Sequence, residues 1–255
     1  MILALDVGNT NIVFGGVEKG KSAFLSRICT DRNKTEDEYA VILKTLIEIN
    51  GLQTSQFMGA IISSVVPQLN EVLKRAVRLV TDYDPLIVGP GIKTGLNIRI
   101  DNPATLGSDL VVGAVAALAY YQKPLIIIDM GTATTMVAID KNGIYRGGMI
   151  APGVRVAMDS LTHNAAQLQG ISLNTPKNAI GTNTADCLRS GIVLGNAAMI
   201  DGMIDRISDE LDGIPTVVAT GGLAPKIIPN CHHAITLDDD LLIKGLEIIY
   251  HKNTR

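Results

Sequence analysis

PLIIIDMGTATTMVAID, residues 124–140, runs from a buried strand through a tight turn into a second strand. Leu125 to Ile128 form a continuous apolar run that ends at Asp129; Gly131 permits a sharp reversal, and Thr132, Thr134 and Thr135 lead into the next apolar stretch. A turn of this kind offers backbone N–H groups and hydroxyls to an anion, with a carboxylate beside them. The chain opens on the same design: Ile2 to Leu5, then Asp6, Gly8, Asn9 and Thr10, then the apolar Ile12-Val13-Phe14. Aligned at Asp6 and Asp129, the two segments share Asp-x-Gly and a following strand. Duplication of the pattern predicts two similar domains, 1–116 and 117–255, around a nucleotide cleft.

Composition narrows the class further. Of 255 residues, 47% are hydrophobic, ample for buried cores. The 22 basic and 25 acidic side chains give a formal net charge of −3, and no run of lysine or arginine exceeds two. That balance argues against a nucleic-acid or anionic-membrane surface. MILALDVGNT meets an aspartate early and lacks a basic lead, so it reads as a strand rather than a signal peptide. No stretch reaches the roughly 18–20 apolar residues of a membrane span. Cys29, Cys187 and Cys231 are odd in number and far apart, which favours reduced thiols and a cytoplasmic location.

Taken in order, Ile2–Asp6, Asn11–Val17 and Ala23–Cys29 read as three strands between glycine turns. Thr35 and Glu38 make a capping box for a helix carrying Tyr39, Ile42, Leu43, Leu46 and Ile47, ended by Gly51. A strand at 59–64, a helix begun by Pro67 and a strand at 86–88 complete β-β-β-α-β-α-β, the order of the ribonuclease-H-like unit. GPGIKTGL at 89–96 specifies a rigid loop. An apolar helix over about 104–121 follows, interrupted by Asp109; its small residues from Gly113 to Ala119 suit a hinge or an interface between subunits. The second half repeats the order. Strands at 125–129, 134–139 and 144–150 precede a helix through Val156, Leu161 and Leu168. A long helix follows from Thr184 to about Leu211, with Leu188, Ile192, Met199, Met203 and Ile207 as its buried stripe. A strand at 217–219 ends in Thr220-Gly221-Gly222, and an amphipathic helix over 241–250 closes the chain.

Asp6 and Asp129 each end a strand at a glycine turn, a position from which a carboxylate either caps local N–H groups or meets a Mg²⁺–nucleotide. Neither turn holds a lysine or fits the Walker pattern, so bound phosphates fall to backbone N–H groups, hydroxyls and metal. Asp109 reads either as the acceptor of a proton from a substrate hydroxyl or as a carboxylate stabilised at a helix start. The four histidines show no metal-ligand spacing.

Seven collinear segments are similar to those of type III pantothenate kinases: DVGNTNIVFG (6–15), SSVVP (63–67), GPGIKTGLNI (89–98), DMGTATT (129–135), GGMIAPG (147–153), GTNTADCLRSGIVLG (181–195) and TGGLA (220–224). The resemblance implies an α/β, acetate and sugar kinase/actin-like fold and transfer of the γ-phosphate of ATP to the primary hydroxyl of pantothenate, the first step of coenzyme A synthesis. It implies nucleotide contacts at Asp6, Val7, Gly8, Asn9, Thr10, Asn11, Ile12, Val13 and Thr132, with Mg²⁺ as cofactor. It assigns pantothenate contacts to Gly107, Ser108, Asp109, Leu110 and Thr184, with Asp109 the proton acceptor. Asp129 is assigned to a monovalent cation, K⁺ or NH₄⁺, and the assembly is a homodimer with its substrate pocket near the subunit interface. The chain departs from the family pattern where the acceptor binds. Gly107-Ser108-Asp109-Leu110 stands where the family reads Gly-Ala-Asp-Arg, and Ile100, Thr105 and Gly113 stand where it commonly has tyrosine, glutamate and asparagine. Leucine offers no donor to replace the guanidinium. A kinase for another small alcohol, and a nucleotide-binding accessory protein without turnover, are the other readings these residues admit.

Overall fold

Two sheets of the computed structural model, which describes residues 1–165 and 170–254, repeat one strand order. The first contains β1 (Ile2–Val7), β2 (Asn11–Glu18), β3 (Lys21–Cys29), β4 (Ala60–Ser64) and β5 (Leu86–Ile87), arranged β3-β2-β1-β4-β5. The second contains β6 (Asn97–Ile98), β7 (Leu125–Met130), β8 (Ala133–Ile139), β9 (Ile144–Pro152), β10 (Thr216–Thr220) and β11 (Thr236–Leu237), arranged β11-β10-β7-β8-β9-β6. β1 is antiparallel to β2 and parallel to β4, and β7 is likewise antiparallel to β8 and parallel to β10. The expected unit therefore occurs twice, with the short β6 added to the second copy.

Alternation along β1 feeds two cores. Leu3, Leu5 and Val7 pack with Tyr39, Leu43 and Ile47 of α1 (Glu36–Ile49) and with Leu73, Ala76, Val77 and Val80 of α2 (Asn70–Thr81). Ile2 and Ala4 face the other way, into a core with Val112 and Val115 of α3 (Ser108–Tyr120) and Ile243, Leu246 and Ile249 of the C-terminal helix α8 (Leu241–Asn253). Each large apolar side chain so buried contributes about 1.5–3 kcal/mol. The capping box starts α1 as its sequence predicts: Thr35 N–H donates to Glu38 Oε2 at 2.8 Å, and Glu38 N–H donates to Thr35 Oγ1 at 3.4 Å.

The division of the chain differs from the expected 1–116 and 117–255. One unit is Met1–Leu96, Asn102–Ala119 and Asp240–Arg255; the other is Asn97–Asp101 and Tyr120–Asp239. Residues 97–101 join the second unit because β6 pairs with β9, and α8 joins the first because its apolar face completes the core beneath Ile2 and Ala4. α8 is also tied to the β2–β3 hairpin: Glu247, almost fully buried, accepts the N–H groups of Lys19 and Gly20 at 2.6 and 2.7 Å. Small residues on α3 and α8 let these two helices approach closely. A Cβ at Gly113 would stand 3.3 Å from Leu242, and one at Gly245 would run into the Val112 carbonyl.

In the second unit α4 (Val154–Asn164), α5 (Thr184–Arg189), α6 (Gly195–Glu210) and α7 (Ala224–Ile227) cover one sheet face. Leu168, expected at the end of the helix that is α4, lies outside the described residues. α5 and α6 form one run interrupted by a π-helical turn at Ser190–Leu194. Its fully buried positions are Ile192, Val193, Ala197, Ile200 and Ile204, while Leu188, Met199, Met203 and Ile207 are partly buried at the margin. The expected stripe is thus displaced around the helix. At 27 residues, with a mean hydropathy of 1.2 over its most apolar window, this run has the length and composition of a membrane span, but it carries charged residues such as Asp186, Arg189 and Asp201 and packs its most apolar side into the core of the unit.

Candidate active site

The first glycine turn closes the end of β1. Gly8 N–H donates to the Asn11 carbonyl at 3.0 Å, leaving Asn9 and Thr10 exposed at the tip. Asp6 is paired with Val13 on β2 and Ser63 on β4. It shares the sheet face of Ile2 and Ala4, the face that α3 covers. Ser63 is fully buried on that face and donates to Ser108 Oγ at 3.0 Å. Ser108 Oγ also accepts Ser64 N–H and donates to the Ser64 carbonyl, each at 3.1 Å. One hydroxyl thereby fixes the start of α3 to the carboxyl end of β4, where open α/β sheets bind ligands.

α3 starts later than its apolar pattern predicts. Asn102 Oδ1 accepts Ala104 N–H at 3.3 Å and turns Pro103–Thr105 into a separate 3₁₀ turn, after which Leu106 is extended. Asp109 consequently lies in the first turn of α3 instead of interrupting its middle. Burial raises its pKa above the ordinary aspartate value, against the opposing effect of the Leu110 N–H, which donates to Oδ1 at 2.8 Å. A Cβ at Gly107 would collide with the same Oδ1. The result is a half-buried carboxylate, more basic than usual, held near the carboxyl end of β4. Gly107, Ser108 and Leu110 are half-buried beside it.

The second turn is closed by backbone bonds. Gly131 N–H donates to the Ala133 carbonyl at 3.0 Å, and Thr132 is exposed. Gly153 N–H, at the start of α4, donates to the Thr132 carbonyl at 3.1 Å. Asp129 is flanked in the sheet by Thr135 and Thr220. Gly221 crosses directly over it: with φ at +96°, a Cβ there would fall 2.5 Å from Asp129 Oδ1 and 2.6 Å from Met130 N. Only glycine suits that backbone and that approach. The buried Thr135 Oγ1 has no hydrogen-bond partner. Directly opposite residues of an antiparallel pair project to one face, so this hydroxyl and the Asp129 carboxylate form a set of hard oxygen donors, a chemistry that suits an alkali cation. Among the described residues no group of three or more His, Cys, Asp or Glu converges as a metal cage. Mg²⁺ seldom needs one, since it binds through substrate phosphates, waters and one or two carboxylates.

Thr184 lies elsewhere in the second unit, as the first residue of α5 behind the Asn183 cap. It borders an open, mostly apolar groove of about 400 Å³ lined with Leu161, Cys187, Leu188, Gly191 and Ile192. The expected site residues thus form three local groups: Asp6–Val13 with Gly107–Leu110, Asp129 with Thr132, and Thr184 on the groove. Sequence reasoning assigned no role to Ser63, Ser64 or Thr135. Thr135 carries a legible signal, being a hydroxyl on the strand position opposite an aspartate.

The duplicated strand order and its two Asp-x-Gly turns define a member of the acetate and sugar kinase/actin class. Solved structures agree on the fold. A Campylobacter jejuni protein described as belonging to the Baf family of transcriptional activators superposes with a TM-score of 0.62 at 22% identity, covering 98% of each chain. Component A of (R)-2-hydroxyglutaryl-CoA dehydratase from Acidaminococcus fermentans superposes at 0.54 with 13% identity, covering 98% of this chain and 96% of that one. Sequence comparison narrows the class. The family model for type III pantothenate kinase matches residues 2–206. Type III pantothenate kinases of Halalkalibacterium halodurans and Brevibacillus brevis are 43% and 44% identical, over 99% of this chain and 100% and 99% of theirs. That of Moorella thermoacetica is 42% identical over the full length of both. The chain belongs to the type III pantothenate kinase family, enzymes whose defining reaction is the ATP-dependent phosphorylation of pantothenate.

Proposed function

We propose that this chain phosphorylates the primary hydroxyl of pantothenate with ATP, giving 4′-phosphopantothenate and ADP, and that Asp109 accepts the hydroxyl proton. The observation that carries the assignment is Asp109 itself, a half-buried carboxylate whose pKa burial raises, at the start of a helix fixed to the end of β4. Burial makes it more basic than a solvated aspartate, which favours proton acceptance. The acceptor oxygen bonds to the γ-phosphorus as the bond to the bridging β–γ oxygen breaks, and the proton passes to Asp109. Asp6 to Val13 and Thr132 are the nucleotide contacts, and Gly107, Ser108, Leu110 and Thr184 the pantothenate contacts, that the family resemblance assigns. Asp6 would hold Mg²⁺ together with the nucleotide, and Asp129 with Thr135 would hold K⁺ or NH₄⁺. When bound, these cations offset charge on the transferring phosphoryl group, for which neither turn has a lysine.

The enzyme acts as a cytoplasmic homodimer, without nucleic-acid or membrane partners. The groove beside Thr184 supports the dimer: it is apolar and open, and Leu161 within it and Ile180 on the same unit are 45% and 84% exposed. Light scattering should give about twice the 27.1 kDa chain mass; a monomer would contradict the assembly.

The activity is tested by ATP consumption in potassium buffer across a panel of small alcohols, with each product weighed by mass spectrometry. Phosphopantothenate should dominate. Transfer to a different alcohol alone would make the chain a kinase for that acceptor. Nucleotide binding without transfer to any alcohol would make the chain an accessory protein.

A further inference from the structure

The segment between β3 and α1, TDRNK at 30–34, folds back onto the first glycine turn. Thr30 donates its hydroxyl to the Gly8 carbonyl at 2.7 Å and its N–H to the Thr10 carbonyl at 3.0 Å, gripping the turn on both sides of Asn9. Arg32 Nη2 donates to Asn9 Oδ1 at 3.2 Å. The bend beneath is anchored by Tyr39, fully buried in α1: its hydroxyl donates to the Asp31 carbonyl at 2.7 Å and accepts Asp31 N–H at 3.0 Å. The Asp31 carboxylate accepts Asn33 N–H at 3.0 Å and pairs with Lys34 Nζ at 3.3 Å. The neighbouring carboxylate is therefore matched to Lys34, whereas Arg32 meets a neutral amide and, among the described residues, forms no ion pair. Arg32 and Asn9 are both exposed, so the guanidinium is open to a ligand on the turn.

A guanidinium presents five N–H donors in a planar fork suited to two phosphate oxygens, and one donor spent on Asn9 leaves the rest for that task. We infer that Arg32 is a phosphate-contacting residue: held by Asn9, it donates to the terminal phosphates of a nucleotide seated on Gly8 to Thr10. It supplies the fixed positive charge that neither glycine turn contains. The inference rests on the kinase assignment for the identity of its ligand.

The test is calorimetric titration with Mg–ADP, and competition with AMP, in wild type, Arg32→Ala, Arg32→Gln and Asn9→Ala. Loss of a charge-assisted contact should weaken ADP by about ten- to a hundredfold in both arginine variants. AMP affinity should change little, and Asn9→Ala should cost less than either. Melting temperatures should be unchanged, because the side chain is exposed. Arg32→Lys should recover part of the loss, since it restores charge without the fork. Wild-type ADP affinity in Arg32→Ala, an equal loss for ADP and AMP, or full affinity in Arg32→Gln would overturn the inference; the last would leave Arg32 as a prop for Asn9. No acceptor alcohol is present, so a wild type that binds ADP yet fails to phosphorylate pantothenate would refute the kinase assignment alone. A wild type that binds no ADP would refute both.

Discussion

The two glycine turns occupy equivalent places in two sheets of the same order, yet they are finished differently. The first is supported by side chains: Thr30 and Arg32 hold it from the β3–α1 connection, and Ser63 and Ser108 tie the adjacent strand end to α3. The second is closed by backbone: Gly153 N–H meets the Thr132 carbonyl, and Gly221 lies against the Asp129 carboxylate. Duplication thus preserved the strand order while the surroundings of the two aspartates diverged. A turn lined with side chains can present donors and a base. One enclosed by backbone and a buried hydroxyl offers hard oxygens at fixed positions, which is better suited to holding a cation. On this view the first unit carries the chemistry of proton transfer and the second positions charge.

The largest effect should come from the first unit. Asp109→Asn keeps the size of the side chain and an oxygen for the Leu110 N–H, but it cannot take a proton; turnover should fall by about 10²-fold or more. ADP affinity should be retained. Because the folded pKa of Asp109 is raised, the stability linked to this group is full below the unfolded pKa and is lost as pH rises through the folded value. Above the folded pKa the buried carboxylate is therefore a cost, and there Asp109→Asn should melt no lower than wild type. A variant that is inactive because it is unfolded would leave the division of labour without support.

The second unit should respond in stability and cation dependence. Gly221→Ala forces a Cβ against Asp129 Oδ1 and a positive φ on a non-glycine residue, a strain of about 1–3 kcal/mol before any clash is relieved. Its melting temperature should drop, and any advantage of potassium over sodium in turnover should shrink. An alanine variant as stable and as potassium-responsive as wild type would break the comparison on this side. Thr30→Val should have the smallest effect. It removes the hydroxyl bond to the Gly8 carbonyl at nearly constant volume, costing about 0.5–1.5 kcal/mol, and should raise the KM for ATP more than that for pantothenate. Equal shifts in both would show that the grip of Thr30 on the turn does not reach the nucleotide.

Much of this was legible in the sequence because it is written in local patterns. The alternation of β1, the Thr35–Glu38 box and the repeated Asp-x-Gly turn each specify their element from neighbouring residues. The misreadings involve partners distant in the chain. The apolar face of α8 was plain, but periodicity does not say which sheet it covers; the core with Ile2, Ala4 and Val112 decides that. α3 looked one turn longer because Ala104, Thr105 and Leu106 suit a helix, and only the Asn102 cap and the extended Leu106 end the preceding turn before it starts. The π turn at 190–194 displaced the stripe of the long helix, a shift that no 3.6-residue template registers. In the candidate site the aspartates stood out, whereas the hydroxyls that fix the first turn and the start of α3, those of Thr30, Ser63 and Ser108, act across 22 to 45 residues of sequence.

The proton-accepting role of Asp109 is tested most directly by the pH dependence of kcat/KM for pantothenate in wild type and Asp109→Asn, with circular dichroism confirming the fold at each pH. With Asp109 as the proposed acceptor, activity requires the ionised carboxylate, so wild-type kcat/KM should decline as pH falls through a pKa above the ordinary aspartate value, and the residual activity of the asparagine variant should lack that acid limb. The same limb in both proteins, or turnover in Asp109→Asn above about a third of wild type, would contradict the assignment of Asp109 as the proton acceptor.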